Sequence, residues 1–119
     1  MAQRFEDLPA WQEARKLTRQ IYQLTAAASF GGDLGDRIRQ AAASSMVNIA
    51  ACPICDSTAE SAQCLQVARR SVAEVQSLLY VALDVGHIGA DIFRDHYEQA
   101  AVVDALVGEL KHSLVQQSK

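Results

Sequence analysis

The run from Cys64 to Val85, CLQVARRSVAEVQSLLYVALDV, carries two apolar lines at helical spacing and constrains the fold more than any other stretch. The first line has alternating steps of three and four residues, the period of a stripe that faces a neighbouring helix. It consists of Leu65, Ala68, Val72, Val75, Leu79 and Ala82. The second line lies beside it and consists of Cys64, Val67, Ser71, Glu74, Leu78, Val81 and Val85. A helix with so wide an apolar surface needs neighbours on more than one side.

Turn signals separate this helix from three other helical segments. Paired glycines follow the first segment, Pro53 ends the second, and Gly86 is placed to end the third. The stretch STAE, Ser57–Glu60, matches the capping box that begins a helix. Because short turns force consecutive helices to run antiparallel, we predict an all-α fold, an up-down antiparallel four-helix bundle. We expect a single domain over residues 1–119 with helices at about 9–29, 34–51, 58–85 and 91–116.

Charge and hydropathy limit the classes of function. The formal net charge of −3 argues against nonspecific nucleic-acid binding by the whole surface. No segment approaches the roughly 18 uninterrupted apolar residues of a membrane span. The N-terminal stretch MAQRFEDLPAWQEARK is charged where a signal peptide needs an apolar core. We therefore expect a cytoplasmic protein that does not contact a membrane.

Three cysteines lie near the turn between the second and third helices. Cys52 and Cys55 have the spacing of a dithiol redox centre, and Cys64 follows on the next helix. The sequence has no strand pattern for a thioredoxin-like setting, and three thiols are fewer than the four ligands of a structural zinc site. Three interpretations stay open: inert thiols, a redox dithiol at Cys52 and Cys55, or a metal site formed by Cys52, Cys55 and Cys64.

No catalytic apparatus is recognisable. The motifs G-x-S-x-G, the P-loop and H-E-x-x-H are all absent. Glu74 has no partner at the E-x-x-H spacing of di-iron bundles. His96 lies on an apolar helix face, which is typical of a core histidine. We therefore predict a protein that is not an enzyme and that requires no cofactor.

Basic side chains on the first three helices are the candidate contacts to RNA or DNA, whereas the fourth helix is acidic. They are Arg15, Lys16, Arg19, Arg37, Arg39, Arg69 and Arg70. The alternative interpretation is a solvated surface with ordinary ion pairs. In an oligomer each basic patch is repeated, so that weak nucleic-acid contacts become multivalent.

Apolar residues outside the core stripes are the candidate contacts to a second copy of the chain. They are Trp11, Tyr22, Val67, Leu78, Val81 and Val85. For Trp11 and Tyr22 the alternative is that they cover the edge of their own bundle, and for the other four residues the alternative is the wide end of the core of their own chain. A chain of 119 residues forms only a modest core, so assembly would add stability.

Three segments carry a resemblance to a known family. They are FEDLPAWQEARKLTRQIYQLT in helix 1, the pattern L-x-x-x-I-R-Q-A-A-x-S from Leu34 to Ser44 followed by Asn48-Ile49-Ala50, and LQVARRSVAEVQSLLYVALDVGHI in helix 3. The chain resembles the four-helix-bundle family encoded in 23S rRNA intervening sequences, with accessory proteins of diversity-generating retroelements as more distant relatives. The resemblance implies a ring-shaped homopentamer without catalysis, and in the retroelement relatives a nucleic-acid-binding role.

The sequence departs from the family pattern at two places. ACPICD, residues 51–56, stands where the family usually continues with Glu-Gly and a polar, basic turn. Arg70-Ser71 replaces the usual Gly-Ser of helix 3. A ligand role of the family's turn is therefore not carried over to this chain.

Two functions from different classes follow. The first is a non-enzymatic homo-oligomeric scaffold or binding protein, pentameric by resemblance, with nucleic acid as a candidate partner. The alternative is a thiol redox or metal-binding protein centred on Cys52 and Cys55.

Overall fold

Four helices form most of the chain. A computed structural model describes residues 4–117, apart from the side chains of residues 28 and 117. The helices are α1 (Pro9–Leu24), α2 (Asp33–Ala51), α3 (Thr58–Asp84) and α4 (Ala90–Gln117). α3 packs against α2 and α4, and α1 packs against the same two helices from the other side. The predicted four-helix bundle is confirmed, and residues 4–117 contain no strand. The domain predicted over residues 1–119 includes residues 1–3 and 118–119, which lie outside the described residues.

The first apolar line of α3 lies in the centre of the core. All of its members, from Leu65 to Ala82, are fully buried. The other helices contribute fully buried residues at similar spacing: Ala14, Leu17 and Ile21 in α1, Ile38, Ala42 and Ile49 in α2, and Ala100, Val103 and Val107 in α4. Burial stabilises the fold by roughly 1.5–3 kcal/mol for each large aliphatic side chain. This line therefore belongs to the core of its own chain.

The second apolar line of α3 is divided between core and surface. Ser71 and Leu78 are buried, whereas Val81 and Val85 are exposed. The hydroxyl of Ser71 donates a hydrogen bond to the Ser44 hydroxyl of α2 over 2.9 Å. The second line thus follows the edge of α3 that faces α2.

Both ends of α3 carry the signals predicted from the sequence. The Oγ of Ser57, the N-cap residue, accepts a hydrogen bond from the N–H of Glu60 over 3.1 Å. At the other end, Gly86 has a φ of +83°, and the N–H of His87 bonds to the carbonyl of Ala82 over 2.9 Å. This is a Schellman motif, in which glycine adopts the left-handed conformation without strain. The predicted start and stop of α3 are confirmed.

The first helix is shorter than predicted, because α1 ends at Leu24 and not near residue 29. The hydroxyl of Thr25 donates to the carbonyl of Ile21 over 2.8 Å, and the short 3-10 turn Ala28–Phe30 follows. This turn carries Phe30 into the core. Burial of the Phe30 ring outweighs the helix propensity of the preceding alanines. The other three helices begin and end within one residue of the predicted bounds.

The start of α2 requires a glycine. Gly35 lies in the first turn of α2 and is buried. A Cβ atom at this position would lie 2.4 Å from the carbonyl oxygen of Phe30. A backbone atom cannot swing away as the end of a long side chain can. Gly35 therefore allows the turn before α2 to fold back onto the helix.

Gly35→Ala should lower the free energy of unfolding, although alanine normally stabilises a helix by about 1 kcal/mol relative to glycine. The clash with the Phe30 carbonyl oxygen outweighs this gain, so we expect the free energy of unfolding to fall by about 1–3 kcal/mol. Gly108→Ala in α4 is the matched control, since its Cβ would meet the Arg69 guanidinium at 3.7 Å, an ordinary contact. There we expect a gain of about 0.5–1 kcal/mol. Urea unfolding followed by circular dichroism measures both, and equal stabilisation by the two changes would contradict the close approach.

Candidate functional site

The basic residues of α1 share one surface with Trp11. Arg15, Lys16 and Arg19 line a shallow hollow of about 340 Å³ together with Trp11 and two glutamates. The guanidinium carbon of Arg15 lies 5.8 Å from the centre of the Trp11 ring, a cation–π contact. Among residues 4–117, none of the three cations takes part in an ion pair. We call Arg15, Lys16 and Arg19 the α1 basic cluster.

The two arginines of α2 are engaged within the bundle. Arg39 pairs with Asp36 in the preceding turn, and its Nη1 donates to the carbonyl oxygen of Thr25 over 3.4 Å. Nη2 of Arg37 lies 3.8 Å from Oε2 of Glu74 in α3. One arginine therefore faces the end of α1 and the other faces α3. They do not extend the α1 basic cluster.

Arg69 of α3 is held by α4. Its Nε and Nη2 atoms donate to the two carboxylate oxygens of Asp104 over 2.9 and 3.3 Å. This hydrogen bond and the charge of Asp104 raise the pKa of Arg69. Gly108 leaves space for the guanidinium beside α4. Arg70, by contrast, is exposed. The predicted basic residues therefore lie on several sides of the bundle.

Trp11 and Tyr22, two of the predicted oligomer contacts, lie on the edge of α1 that faces α2. They share this edge with Thr18 at helical spacing, and the Thr18 hydroxyl donates to the carbonyl oxygen of Ala42 over 3.1 Å. Trp11 is half-buried and contacts the ring of Phe5, whereas Tyr22 is exposed. Trp11 covers part of its own bundle, and Tyr22 presents its ring to solvent. Contact with a second copy and cover for the edge of the chain's own bundle both stay open as interpretations of these rings.

The other predicted oligomer contacts lie on the edge of α3 that faces α2. Val81 and Val85 are exposed, and Val67 is half-buried. Leu78, however, is only 6% exposed and packs in the core of its own chain. Leu78 therefore offers little surface to a second copy.

An outward-facing apolar stripe on α2 was missed by the sequence analysis. Ala43, Met46, Val47 and Ala50 recur at i, i+3, i+4 and i+7. Val47 is 66% exposed, and Ile54, in the 3-10 turn Cys52–Ile54, is 81% exposed. We call Ala43, Met46, Val47 and Ala50 the outer stripe of α2. The signal was a second helical period within AAASSMVNIAA, which the run of small residues obscured.

The cysteines lie where α2 ends and α3 begins. The Sγ atoms of Cys55 and Cys64 are 3.6 Å apart, and the Cys55 thiol donates to the carbonyl oxygen of Ala51 over 3.1 Å. Burial raises the pKa of the Cys52 thiol, against the opposing effect of a hydrogen bond with Ser61. Burial also raises the pKa of the Cys64 thiol, as does its hydrogen bond with Cys55. The thiols in contact are thus Cys55 and Cys64, whereas the C-x-x-C spacing pointed to Cys52 and Cys55.

The structure gives no support to a metal site at the thiols. Within the part of the chain that the structure describes, no group of three or more His, Cys, Asp or Glu side chains is arranged to hold a metal ion. The interpretation of Cys52, Cys55 and Cys64 as metal ligands therefore stays a prediction without structural support. Nδ1 of His96 lies 2.8 Å from the carbonyl oxygen of Ile92, within its own helix.

Comparisons with known proteins agree with this fold. Residues 6–109 match the family described as 23S rRNA-intervening sequence protein. The chain belongs to this family. It is also similar to a solved structure, a protein of unknown function from the S23 ribosomal protein family of Bacteroides thetaiotaomicron, with a TM-score of 0.80 and 13% identity over 86% of this chain and 97% of that chain. At that identity the likeness concerns the fold alone. No curated protein matches the chain.

Neither the family description nor the solved structure names an enzymatic activity. In the described part of this family member, no helix combines the length and the apolar character needed to cross a membrane.

The Arg69–Asp104 pair should contribute only weakly to stability, because both side chains are 40% exposed and water screens their attraction. A double-mutant cycle on Arg69→Ala and Asp104→Ala should give a coupling of about 0.5–1 kcal/mol. The more exposed pair Arg94–Asp91 serves as control and should give about 0.3 kcal/mol. Coupling at Arg69 that persists undiminished in about 1 M salt, where the Debye length is about 3 Å, would contradict this account.

Proposed function

We propose that this protein is a non-enzymatic, homo-oligomeric scaffold that presents a repeated binding surface. The observation that carries the proposal is the outer stripe of α2. Val47 in its centre is 66% exposed and its other members are half-buried, while the opposite side of α2 fills the core of its own chain. Apolar surface of this kind marks contact sites, and a second copy that covers it removes the exposed area from water.

The neighbours of the outer stripe favour a helix of a second copy as its occupant. Thr18 meets Ala42, so in antiparallel helices Trp11 is level with the end of the outer stripe. Ser71 meets Ser44, so Val67 of α3 is level with the outer stripe on its other side. Small alanines between larger apolar borders let another backbone approach closely, and a tryptophan at the border supplies contact area.

A ring of five copies is the assembly that the family resemblance implies. Ring closure requires two different contact surfaces on each copy, because the contact is head-to-tail. The outer stripe with Trp11 and Val67 is the first surface. Val81 and Val85, near the other end of α3, are our candidates for the second, with Tyr22 close to that end of the bundle.

Val47→Asp should weaken the assembly, because it places a carboxylate in the centre of the contact. We expect each contact to lose at least about 2 kcal/mol, roughly 30-fold in its dissociation constant. Sedimentation velocity over a range of concentrations measures the change in mass. Because Val47 is 66% exposed, the isolated bundle should keep its helicity.

The matched control for that experiment is Val102→Asp, the same change at a valine that is 41% exposed on α4. It should leave the sedimentation of the native protein unchanged. A wild-type protein that sediments as a monomer at every concentration would contradict the scaffold, and equal effects of the two variants would contradict the role of the outer stripe.

Nucleic acid is the partner that the α1 basic cluster favours. Three cations lie within two turns of α1 and none of them is in an ion pair among residues 4–117, so they are available to phosphates. Repetition around an oligomer would add the contacts of all copies, so the binding would come from the local cluster and not from the net charge, which is −3 in every chain.

Replacing Arg15, Lys16 and Arg19 together with alanine should weaken binding to single-stranded RNA or DNA. A plot of log affinity against log salt concentration should become less steep, its slope falling in magnitude by roughly 2 for each engaged subunit, because three phosphate contacts are lost. Fluorescence anisotropy at several salt concentrations measures both changes. The matched control replaces Arg37, Arg69 and Arg94 with alanine, which removes the same charge from side chains that are ion-paired with Glu74, Asp104 and Asp91.

The control variant should bind within about threefold of wild type, since its cations are already engaged. Equal weakening by the two triple variants would assign the binding to net charge alone. No binding of the wild type at low salt would contradict the nucleic-acid role. We also propose a cytoplasmic location, because three cysteines are an odd number, which fits reduced thiols better than a disulfide framework.

A further inference from the structure

Two thiols meet beside a cleft at one end of the bundle. The cleft has a volume of about 440 Å³ and is lined by the turn between α2 and α3, the residue before α1 and the last turns of α4. Cys55 lies on its wall, and Asp56 and Ser57 follow. Cys64, in the second turn of α3, places its sulfur 3.6 Å from that of Cys55. Cys52 also lines the cleft but is buried, so the half-buried Cys55 is the more open of these two thiols to a reagent, and Cys64 touches Cys55.

We propose that Cys55 and Cys64 are an oxidisable dithiol, which reacts with small-molecule disulfides such as glutathione disulfide and closes to an intramolecular bridge. The proposal does not depend on oligomerisation or on nucleic-acid binding.

The hydrogen bonds of the pair favour a fixed order of reaction. The Cys55 thiol directs its proton to the carbonyl oxygen of Ala51, so the proton of Cys64 is the one that points to the Cys55 sulfur. Burial and the hydrogen bond with Cys55 raise the pKa of the Cys64 thiol, which disfavours its thiolate. Cys55, which borders the cleft, therefore meets the reagent first, and Cys64 acts second.

The exchange consists of two balanced steps. Cys55 loses its proton, and its sulfur attacks one sulfur of the small disulfide, which forms a mixed disulfide and releases the first small thiol with that proton. The sulfur of Cys64 then attacks the Cys55 sulfur and displaces the second small thiol, which leaves with the proton of Cys64. Two cysteine thiols are oxidised, and one small disulfide is reduced to two thiols.

The backbone at Cys55 permits the approach that a bridge requires. The sulfur atoms must move from 3.6 Å to a bond of about 2.05 Å. Cys55 lies in extended backbone between the 3-10 turn Cys52–Ile54 and α3, outside both helices. Rotation of its side chain therefore disturbs no helical hydrogen bond of α3.

Cys52 takes no part in this chemistry. It is only 6% exposed, and it continues the core face of α2 into the 3-10 turn, three residues after Ile49. Burial also raises the pKa of its thiol, which disfavours the reactive thiolate. The C-x-x-C spacing therefore places one thiol in the core and the other beside α3.

Peptide mapping distinguishes the proposed bridge from a C-x-x-C bridge. The full-length protein is treated with glutathione disulfide, alkylated, and cleaved after Glu60, which lies between Cys55 and Cys64. A Cys55–Cys64 bridge holds the two fragments together until a reductant is added, whereas a Cys52–Cys55 bridge lies within one fragment. We expect the linked fragments from wild type and also from Cys52→Ala, in which Cys55 is the only cysteine before Glu60.

Cys64→Ser supplies the second readout. Without the second thiol the reaction should stop at the mixed disulfide, with roughly tenfold more glutathione bound at Cys55 than in wild type. Cys55→Ser should yield neither the linked fragments nor this adduct. The proposal is overturned by native thiols that stay reduced, by a bridge confined to the fragment with Cys52 and Cys55, or by equal adduct in wild type and Cys64→Ser.

Discussion

Burial of the first apolar line of α3 is the constraint on which the rest of the bundle depends. The line from Leu65 to Ala82 is completely enclosed because α3 packs between α2 and α4, with α1 closing the opposite side. Once α3 is held in this way, its two edges have different neighbours. One edge reaches α4 through Arg69 and Asp104, and the other reaches α2 through Ser71 and Ser44. The surfaces available for assembly or binding are those that these contacts between helices leave exposed to solvent.

The small residues of α2 explain why that helix carries both a tight core face and an apolar outer face. Ala42 and Ser45 fill its inner side at full burial, Met46 is half-buried at the edge of the core, and Val47 faces outwards. A polar line separates the two faces on the α3 side: the amide of Asn48 donates to the carbonyl oxygen of Ser44 over 2.9 Å. Because this amide is bonded within its own helix, a second copy covering the outer stripe would not have to bury it unpaired.

Local signals made most of the fold predictable, and long-range packing accounts for the errors. Ser57 and Gly86 determine the ends of α3 through bonds to residues within five positions, so the sequence alone located both. The end of α1 depends on the burial of Phe30 in the core. The residues around the end of α1 contain no sequence pattern that predicts this burial. Leu78 and Val81 are both apolar members of the second line, and the sequence pattern does not distinguish them. Their burial differs because the three-residue step from Leu78 to Val81 turns the side chain about 60° further from the core line around the helix, so Leu78 is 6% exposed and Val81 42%.

The candidate site residues were harder to predict, because spacing along the chain does not determine which side chains meet across an edge. Cys52 and Cys55 are close in sequence, yet Cys52 continues the core face of α2 while the 3-10 turn directs Cys55 towards α3. The basic residues also differ in whether a neighbouring helix supplies an acidic partner. Arg37 and Arg69 lie on edges that face Glu74 and Asp104 of neighbouring helices, so each is drawn into an ion pair within the chain. The α1 basic cluster projects from α1 without such a partner among residues 4–117, which is why it and not the paired arginines is available to phosphates.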